Sequence, residues 1–214
     1  MSSGLEDARK LLGCFIGSCA DHPLLARRGE MPWHLTRGVC AIVASHIVEL
    51  GVEYRVAGGV AVHRTASIET GAIVKGPAII GPRCFIAATA YLRGGVFLDE
   101  DCIVGPGAEL KSSFAFKGSK LAHLNFVGDS ILGEGVNCEA GSIIANFRNE
   151  SEDKRIRIAF DGEIIDTGTE KFGALVGNRV RLGANAVVAP GALILPGTTL
   201  PRLSLFDQQA PQVG

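Results

Sequence analysis

Arg93, Lys111, His123, Asn137 and Asn146 are residues of this 214-residue chain whose types, taken together, could do chemistry. A guanidinium and an ammonium suit a phosphate, one as a planar fork and the other as a point charge. An imidazole suits proton transfer near neutral pH, and the two carboxamides suit hydrogen bonds to a sugar or an amide. Singly, each is what a solvated or capping residue looks like. Their spacing matters because it puts them on a few neighbouring turns of a repeating structure.

That structure announces itself as a six-residue beat. From Val62 an aliphatic or large apolar residue recurs at Ile68, Val74, Ile80, Ile86, Leu92, Leu98, Val104, Leu110 and Phe116, and small residues recur in step at Ala66, Ala72, Ala78, Cys84, Ala90, Val96, Cys102 and Ala108. Six does not fit the 3.6-residue helical period, but it holds whole two-residue strand periods and a corner. The expected fold is all-β, a parallel β-helix of hexapeptide repeats with three flat strands per coil and branched aliphatics stacked inside. Gly81-Pro82, Gly94-Gly95 and Gly105-Pro106-Gly107 fit its tight corners. The beat does not give the hand of the coil.

The beat breaks twice. After Phe116 and Ala122 it restarts at Phe126, Leu132, Cys138 and Ile144, a shift of two positions with His123 at the break. A charged segment, 147–175, then interrupts it, and Asp161-Gly162 between Ile156-Arg157-Ile158 and Glu163-Ile164-Ile165 signals a β-hairpin in a protruding loop. The prism resumes at Val176, Leu182, Val188, Ile194 and Leu200.

Ahead of the prism, residues 1–57 carry helical spacing. Ser3 and Glu6 could form a capping box before a face of Leu5, Ala8, Leu11, Leu12, Phe15 and Ile16. A second helix begins near Pro32, with a stripe through Leu35, Val39, Ile42, Val43, His46, Ile47 and Leu50, and Gly51 is placed to end it. These helices are expected to pack on the prism or a neighbouring subunit, and His34 and His46 to pack or face solvent. The prism spans 58–206 and a tail 207–214. The 28 glycines, 47% apolar content and 6% aromatic content suit a thin aliphatic prism. A formal charge of −1 without a basic cluster gives no support to nucleic-acid or anionic-membrane binding. Cys84, Cys102 and Cys138 fall in the inward register as small hydrophobes rather than a disulfide framework, so the expected location is cytoplasmic.

Gly118-Ser119-Lys120-Leu121-Ala122-His123-Leu124-Asn125-Phe126-Val127-Gly128-Asp129, followed by Leu132-Gly133-Glu134-Gly135-Val136-Asn137-Cys138-Glu139-Ala140-Gly141, resembles the acetyltransferase domain of the bifunctional glucosamine-1-phosphate acetyltransferase and N-acetylglucosamine-1-phosphate uridylyltransferase family. The resemblance runs from about Val62 to Leu200. Thr167-Gly168-Thr169-Glu170-Lys171-Phe172-Gly173-Ala174 is closer to related bacterial and archaeal sugar-nucleotidyltransferase-like forms. It implies left-handed coils, a homotrimer, and a site between subunits where acetyl-CoA meets an amino-sugar 1-phosphate of the glucosamine or galactosamine type. By motif, His123 matches the general base, Arg93 and Lys111 the phosphate pair, and Asn137 a sugar contact. Asn146 matches a second asparagine that holds substrate and base, and backbone at Ala140 falls near the CoA thioester.

Phe126, at a substrate-binding place, and Phe147 stand where that family has tyrosines. The family's last phosphate-binding lysine has three possible counterparts here, Lys154, Arg155 and Arg157. Its C-terminal CoA-binding arm has no clear equivalent. No Gly-rich nucleotide-binding loop precedes the prism, so a uridylyltransferase half is not expected. The alternative reading is a catalytically silent binding or regulatory prism linked to sugar-nucleotide metabolism. A zinc hydratase would need about three converging imidazoles; only His63 and His123 fall in the prism, several coils apart, so no catalytic metal is expected.

Overall fold

The computed structural model of the chain describes residues 3–20, 22–25 and 29–208. Helices α1 (Ser3–Phe15) and α2 (Pro32–Ile47) precede a left-handed parallel β-helix of about eight coils. The proposed Ser3/Glu6 cap falls on side chains outside the described set. Proline at its first turn opens α2, whose α-helical hydrogen bonding ends at Ile47, before Gly51. No described helix is long and apolar enough to cross a membrane.

Each face of the prism is one ladder of short strands. On the first, Ala61, Ile79, Phe97, Phe114, Ile131, Leu175 and Leu193 lie in register. On the second the outward row is Ile73, Tyr91, Glu109, Phe126, Ile143, Val187 and Leu205. On the third it is Ser67, Phe85, Ile103, Lys120, Asn137, Arg181 and Thr199. The residue after each of these on the second and third faces points inward, and the stack of Ile86, Leu92, Val104, Leu110, Leu121, Val127, Cys138 and Ile144 is sealed from solvent. Each such side chain contributes about 1.5–3 kcal/mol of burial.

The first face is apolar outside as well as inside, and this is what the helices cover. Its outward row forms a second core with Leu11, Phe15, Trp33, Val39 and Val43. The contact is close: a Cβ on Gly95 would lie 2.8 Å from the backbone nitrogen of Cys40 in α2. Residues Arg157–Phe160 and Glu163–Asp166 form an antiparallel hairpin whose turn residues, Asp161 and Gly162, both have positive φ. Ile156 and Ile158 are fully buried in the second core, and Phe160 meets Phe15, so the hairpin lies back on the helical layer instead of projecting as a free arm.

The break near His123 is not a single two-residue shift. Inward residues are six apart up to Leu110, then come Ala115, Leu121, Val127 and Leu132, so two separate corners are each one residue short. Phe116, read from the sequence as inward, lies in the second core, and Phe126 points outward while Val127 fills the prism. Serines close the two short corners. Ser113 Oγ donates to the Lys111 carbonyl (2.7 Å) and accepts from Ser130 N (3.0 Å). Ser130 Oγ donates to the Gly128 carbonyl (2.7 Å) and accepts from Ala174 N (3.0 Å). Buried hydroxyls thus satisfy backbone groups that the shortened corners would leave unpaired.

His22 is expected to give the helical layer a pH dependence. Its ring packs edge-on against Phe97 and Phe116, at centroid distances of 5.2 and 5.3 Å, and Nδ1 accepts from Leu24 N. Burial lowers its pKa from 6.5; the Asp99 charge opposes this and His46 adds to it. Because the folded value lies below the unfolded one, this contribution is complete above about pH 6.5 and is lost as pH falls from there through the lowered value. Melting followed by the fluorescence of Trp33, the single tryptophan, is expected to shift down on acidification across that window, and His22→Leu to reduce the shift.

Candidate functional site

The second face of the prism, which the helices leave uncovered, separates two rows of corner residues. At its edge toward the helices, Arg93, Lys111 and Gly128 stand in register on successive coils. The Lys111 ammonium donates to Asp129 Oδ2 at 2.6 Å, and the Asn146 carboxamide donates to the same oxygen. Arg93 donates from Nε to Glu109 Oε1 at 2.7 Å and rests on the Tyr91 ring. Asp129 holds a positive φ of 46° in one of the shortened corners, which is how a coil of this phase turns its carboxylate toward both neighbours. Phe126 closes the group. A Cβ on Gly128 would lie 2.8 Å from Asn146 Cγ and 2.9 Å from Phe126 Cζ, so a larger residue there would have to displace both side chains from over the strand.

At the opposite edge of the same face, His123 occupies a corner row with Ala140 and Ala184. The His123 carbonyl accepts from Gly141 N, and the Ala140 carbonyl from Asn185 N, each at 2.9 Å. The His123 side chain is exposed, and its ring makes no hydrogen bond to a described residue. What fixes it is the backbone: Leu124 beside it has φ 53°, and the preceding Ala122 carbonyl packs on Gly105, where a Cβ would lie 1.7 Å from that oxygen. Gly105→Ala is therefore expected to displace the His123 corner and cost about 1–3 kcal/mol or more, read as a lower urea midpoint.

The sequence candidates thus fall into three places. Arg93, Lys111, Asn146 and Phe126 come together; His123 and Ala140 share the other edge; Asn137 lies around that corner on the third face, between Lys120 and Arg181. In the interrupting segment Lys154 Nζ stands 5.5 Å from the Phe147 ring centroid beside Asn146, whereas Arg155 and Arg157 pair with Asp153. Buried Arg148 anchors the root of that segment to the last coil through Asp207, at 2.8 and 3.2 Å, and through the Pro190 carbonyl. The Asp207 carboxylate raises the Arg148 pKa further.

Asp129 and Glu109 were not among the candidates read from the sequence. Their signal was a spacing close to one coil from a cation: Asp129 lies 18 residues after Lys111, and Glu109 lies 16 after Arg93. Among the described residues no group of three or more His, Cys, Asp or Glu side chains could hold a metal ion.

No family model matches the chain. A bifunctional sugar-1-phosphate nucleotidylyltransferase/acetyltransferase from Sulfurisphaera tokodaii is 36% identical over 154 residues, 69% of this chain and 38% of that protein. The bifunctional protein GlmU of Methanococcus vannielii is 33% identical over 124 residues, 58% of this chain and 29% of that protein. The GlmU of Nitratidesulfovibrio vulgaris strain DP4 is 31% identical over 156 residues, 68% of this chain and 31% of that protein. The chain therefore spans between 29% and 38% of the length of these three relatives. A hexapeptide transferase family structure from Anaplasma phagocytophilum aligns at a TM-score of 0.32 and 17% identity, covering 68% of this chain and 72% of that one, too low to bear on activity. Repeat, register and sequence likeness together make this chain a left-handed hexapeptide-repeat β-helix that resembles the acetyltransferase part of the bifunctional sugar-1-phosphate nucleotidylyltransferase/acetyltransferases.

Proposed function

We propose that the prism is an acetyl-CoA-dependent N-acyltransferase whose acceptor is an amino sugar bearing an anomeric phosphate. The observation that carries this reading is the division of labour across one face. Arg93, Lys111 and Asn146 line one edge, His123 stands at the other, and the Phe126 ring lies over the strand between them. The chain turns at Leu124 (φ 53°), and from there to the end of the strand Phe126–Gly128 is four residue steps, at most roughly 13 Å. Less the reach of the side chains on both edges, that leaves room for a hexose with its phosphate on the cations and its amine toward the imidazole.

In this reading the amine nitrogen attacks the thioester carbonyl carbon while His123 takes a proton from nitrogen. The C–S bond then breaks as the tetrahedral intermediate collapses, and the imidazolium returns the proton to the departing thiolate. A base so placed contributes about 10²–10⁴-fold in rate, and holding the amine against the thioester supplies more through proximity. Ala140, next to His123 on the corner row, is exposed, and its small side chain leaves space beside the imidazole for the acyl group.

We take the same face as the one a closed homotrimer would bury. Ile73 and Leu205 are largely exposed and Ile143 partly so, in one row with Tyr91, Glu109 and Phe126, so apolar side chains flank the Arg93–Glu109 pair on a surface suited to a second copy.

A silent binding prism has one specific observation in its favour: Arg93 and Lys111 are already matched by Glu109 and Asp129. Thiol release from acetyl-CoA separates the readings, with glucosamine 1-phosphate and galactosamine 1-phosphate offered in parallel against a blank without acceptor. Release that requires a sugar phosphate is the expected result and names the acceptor. No release with either sugar overturns the amino-sugar 1-phosphate assignment.

A further inference from the structure

The cation row does not stop at Arg93. Val74 pairs with Leu92, and Lys75 N donates to the Leu92 carbonyl at 2.9 Å, which places Lys75 one coil before Arg93 on the same corner, as Lys111 is one coil after it. Coils stack about 4.8 Å apart, so the three residues span roughly 10 Å of backbone along the prism axis. Their charges are not equivalent. Arg93 is matched by Glu109 and Lys111 by Asp129, whereas Lys75 makes no ion pair with a described residue. Its ammonium rests 5.2 Å from the centroid of the Tyr91 ring, and the Arg93 guanidinium lies 5.6 Å from the same centroid.

The net positive charge of the row therefore sits at its outer end, one coil beyond the pair that would serve a monophosphate. We infer that the row reads a diphosphate: the acceptor is a sugar amine carried on a diphosphate ester, of the nucleoside diphosphate-sugar class. One phosphoryl group lies at Lys111 and Arg93 and the second reaches Lys75. An anion held only at Lys111 and Arg93 meets cations already neutralised, whereas one extending to Lys75 gains the uncompensated charge and a donor prepositioned on an aromatic ring. This rests on the phosphate-binding role given to the row above, and it makes the chemical class of the acceptor more specific than a 1-phosphate.

Calorimetric titration with UDP-glucosamine and with glucosamine 1-phosphate tests it without requiring turnover. Wild-type protein is expected to bind the diphosphate ester at least about tenfold more tightly. Lys75→Gln should abolish most of that preference and Lys75→Arg retain it, as expected for a charge that touches the ligand. Equal affinity for the two ligands, or a preference that Lys75→Gln leaves intact, overturns the inference. Thiol release measured alongside keeps the two readings apart: a Lys75-dependent preference without acetyl transfer supports the diphosphate row and counts against the acyltransferase.

Discussion

His123→Ala is expected to fold as the wild type does and to lose about 10²–10⁴-fold in turnover, the amount a positioned base contributes. Both halves of this expectation follow from where the residue sits. Its ring is exposed and bonded to no described residue, while the corner is held by the Leu124 conformation, by the contact of Ala122 with Gly105, and by the hydrogen bond from Gly141 N to the His123 carbonyl. None of these uses the imidazole, so the melting temperature should stay within the range of an ordinary surface substitution, about 0.5 kcal/mol. If the imidazole carries the proton, the loss appears in kcat and kcat/KM together, because the interaction is made in the transition state. Free imidazole added to the variant should then restore part of the rate. A side chain that merely shaped the corner would not be replaced by a diffusing base. Turnover equal to wild type would remove His123 from the chemistry and leave the cation row as a binding site.

The regular coils were legible in the sequence because a prism interior accepts little besides branched aliphatics and small residues, so the beat from Val62 to Leu110 is an imprint of packing. The irregular coils were legible only as a disturbance. Phe114, Phe116 and Phe126 are the strongest apolar residues near the break, and the six-residue count attaches to Phe116 and Phe126. The structure gives the interior to Ala115 and Val127 and sends the phenylalanines outside. A hydrophobic count cannot tell an inward alanine from an outward phenylalanine when the outside is itself buried. The missing information was the helical layer, whose trace in the sequence is a second apolar row, Ile79, Phe97, Phe114, Ile131, Leu175 and Leu193. Ser113 and Ser130 were invisible for a related reason: a hydroxyl that closes a shortened corner reads as a polar interruption. The candidate residues were read from motif and coil spacing, and the fold places Arg93, Lys111, Asn146 and Phe126 near one another. Their division between two edges of a face was not so read, since it depends on which corner each coil shortens.

Asp129 joins that architecture to the site, and Asp129→Ala should be among the most destabilising single changes in the bay. Its Oδ2 accepts from both Lys111 and Asn146, and the side chains of Lys111 and Asp129 are only 16% and 9% exposed. Removing the carboxylate leaves an ammonium with little water and no partner. Stranding one member of a buried pair costs about 3–5 kcal/mol, or roughly 6–20 °C in melting temperature for a domain of this size. The penalty belongs to the stranded charge more than to the lost attraction, which yields a sharper expectation. Lys111→Met combined with Asp129→Ala should melt higher than Asp129→Ala alone, because the double variant leaves no charge unpaired. Thermal melts of wild type, both single variants and the double variant decide it. If the double variant is as unstable as the sum of the singles, Asp129 supports the shortened corner through its backbone position and not through Lys111. If the stability is recovered while sugar-phosphate binding is not, the pair is retained for the ligand: Asp129 holds the ammonium and the Asn146 amide at the edge of the bay, at a cost in stability that an apolar pair would avoid.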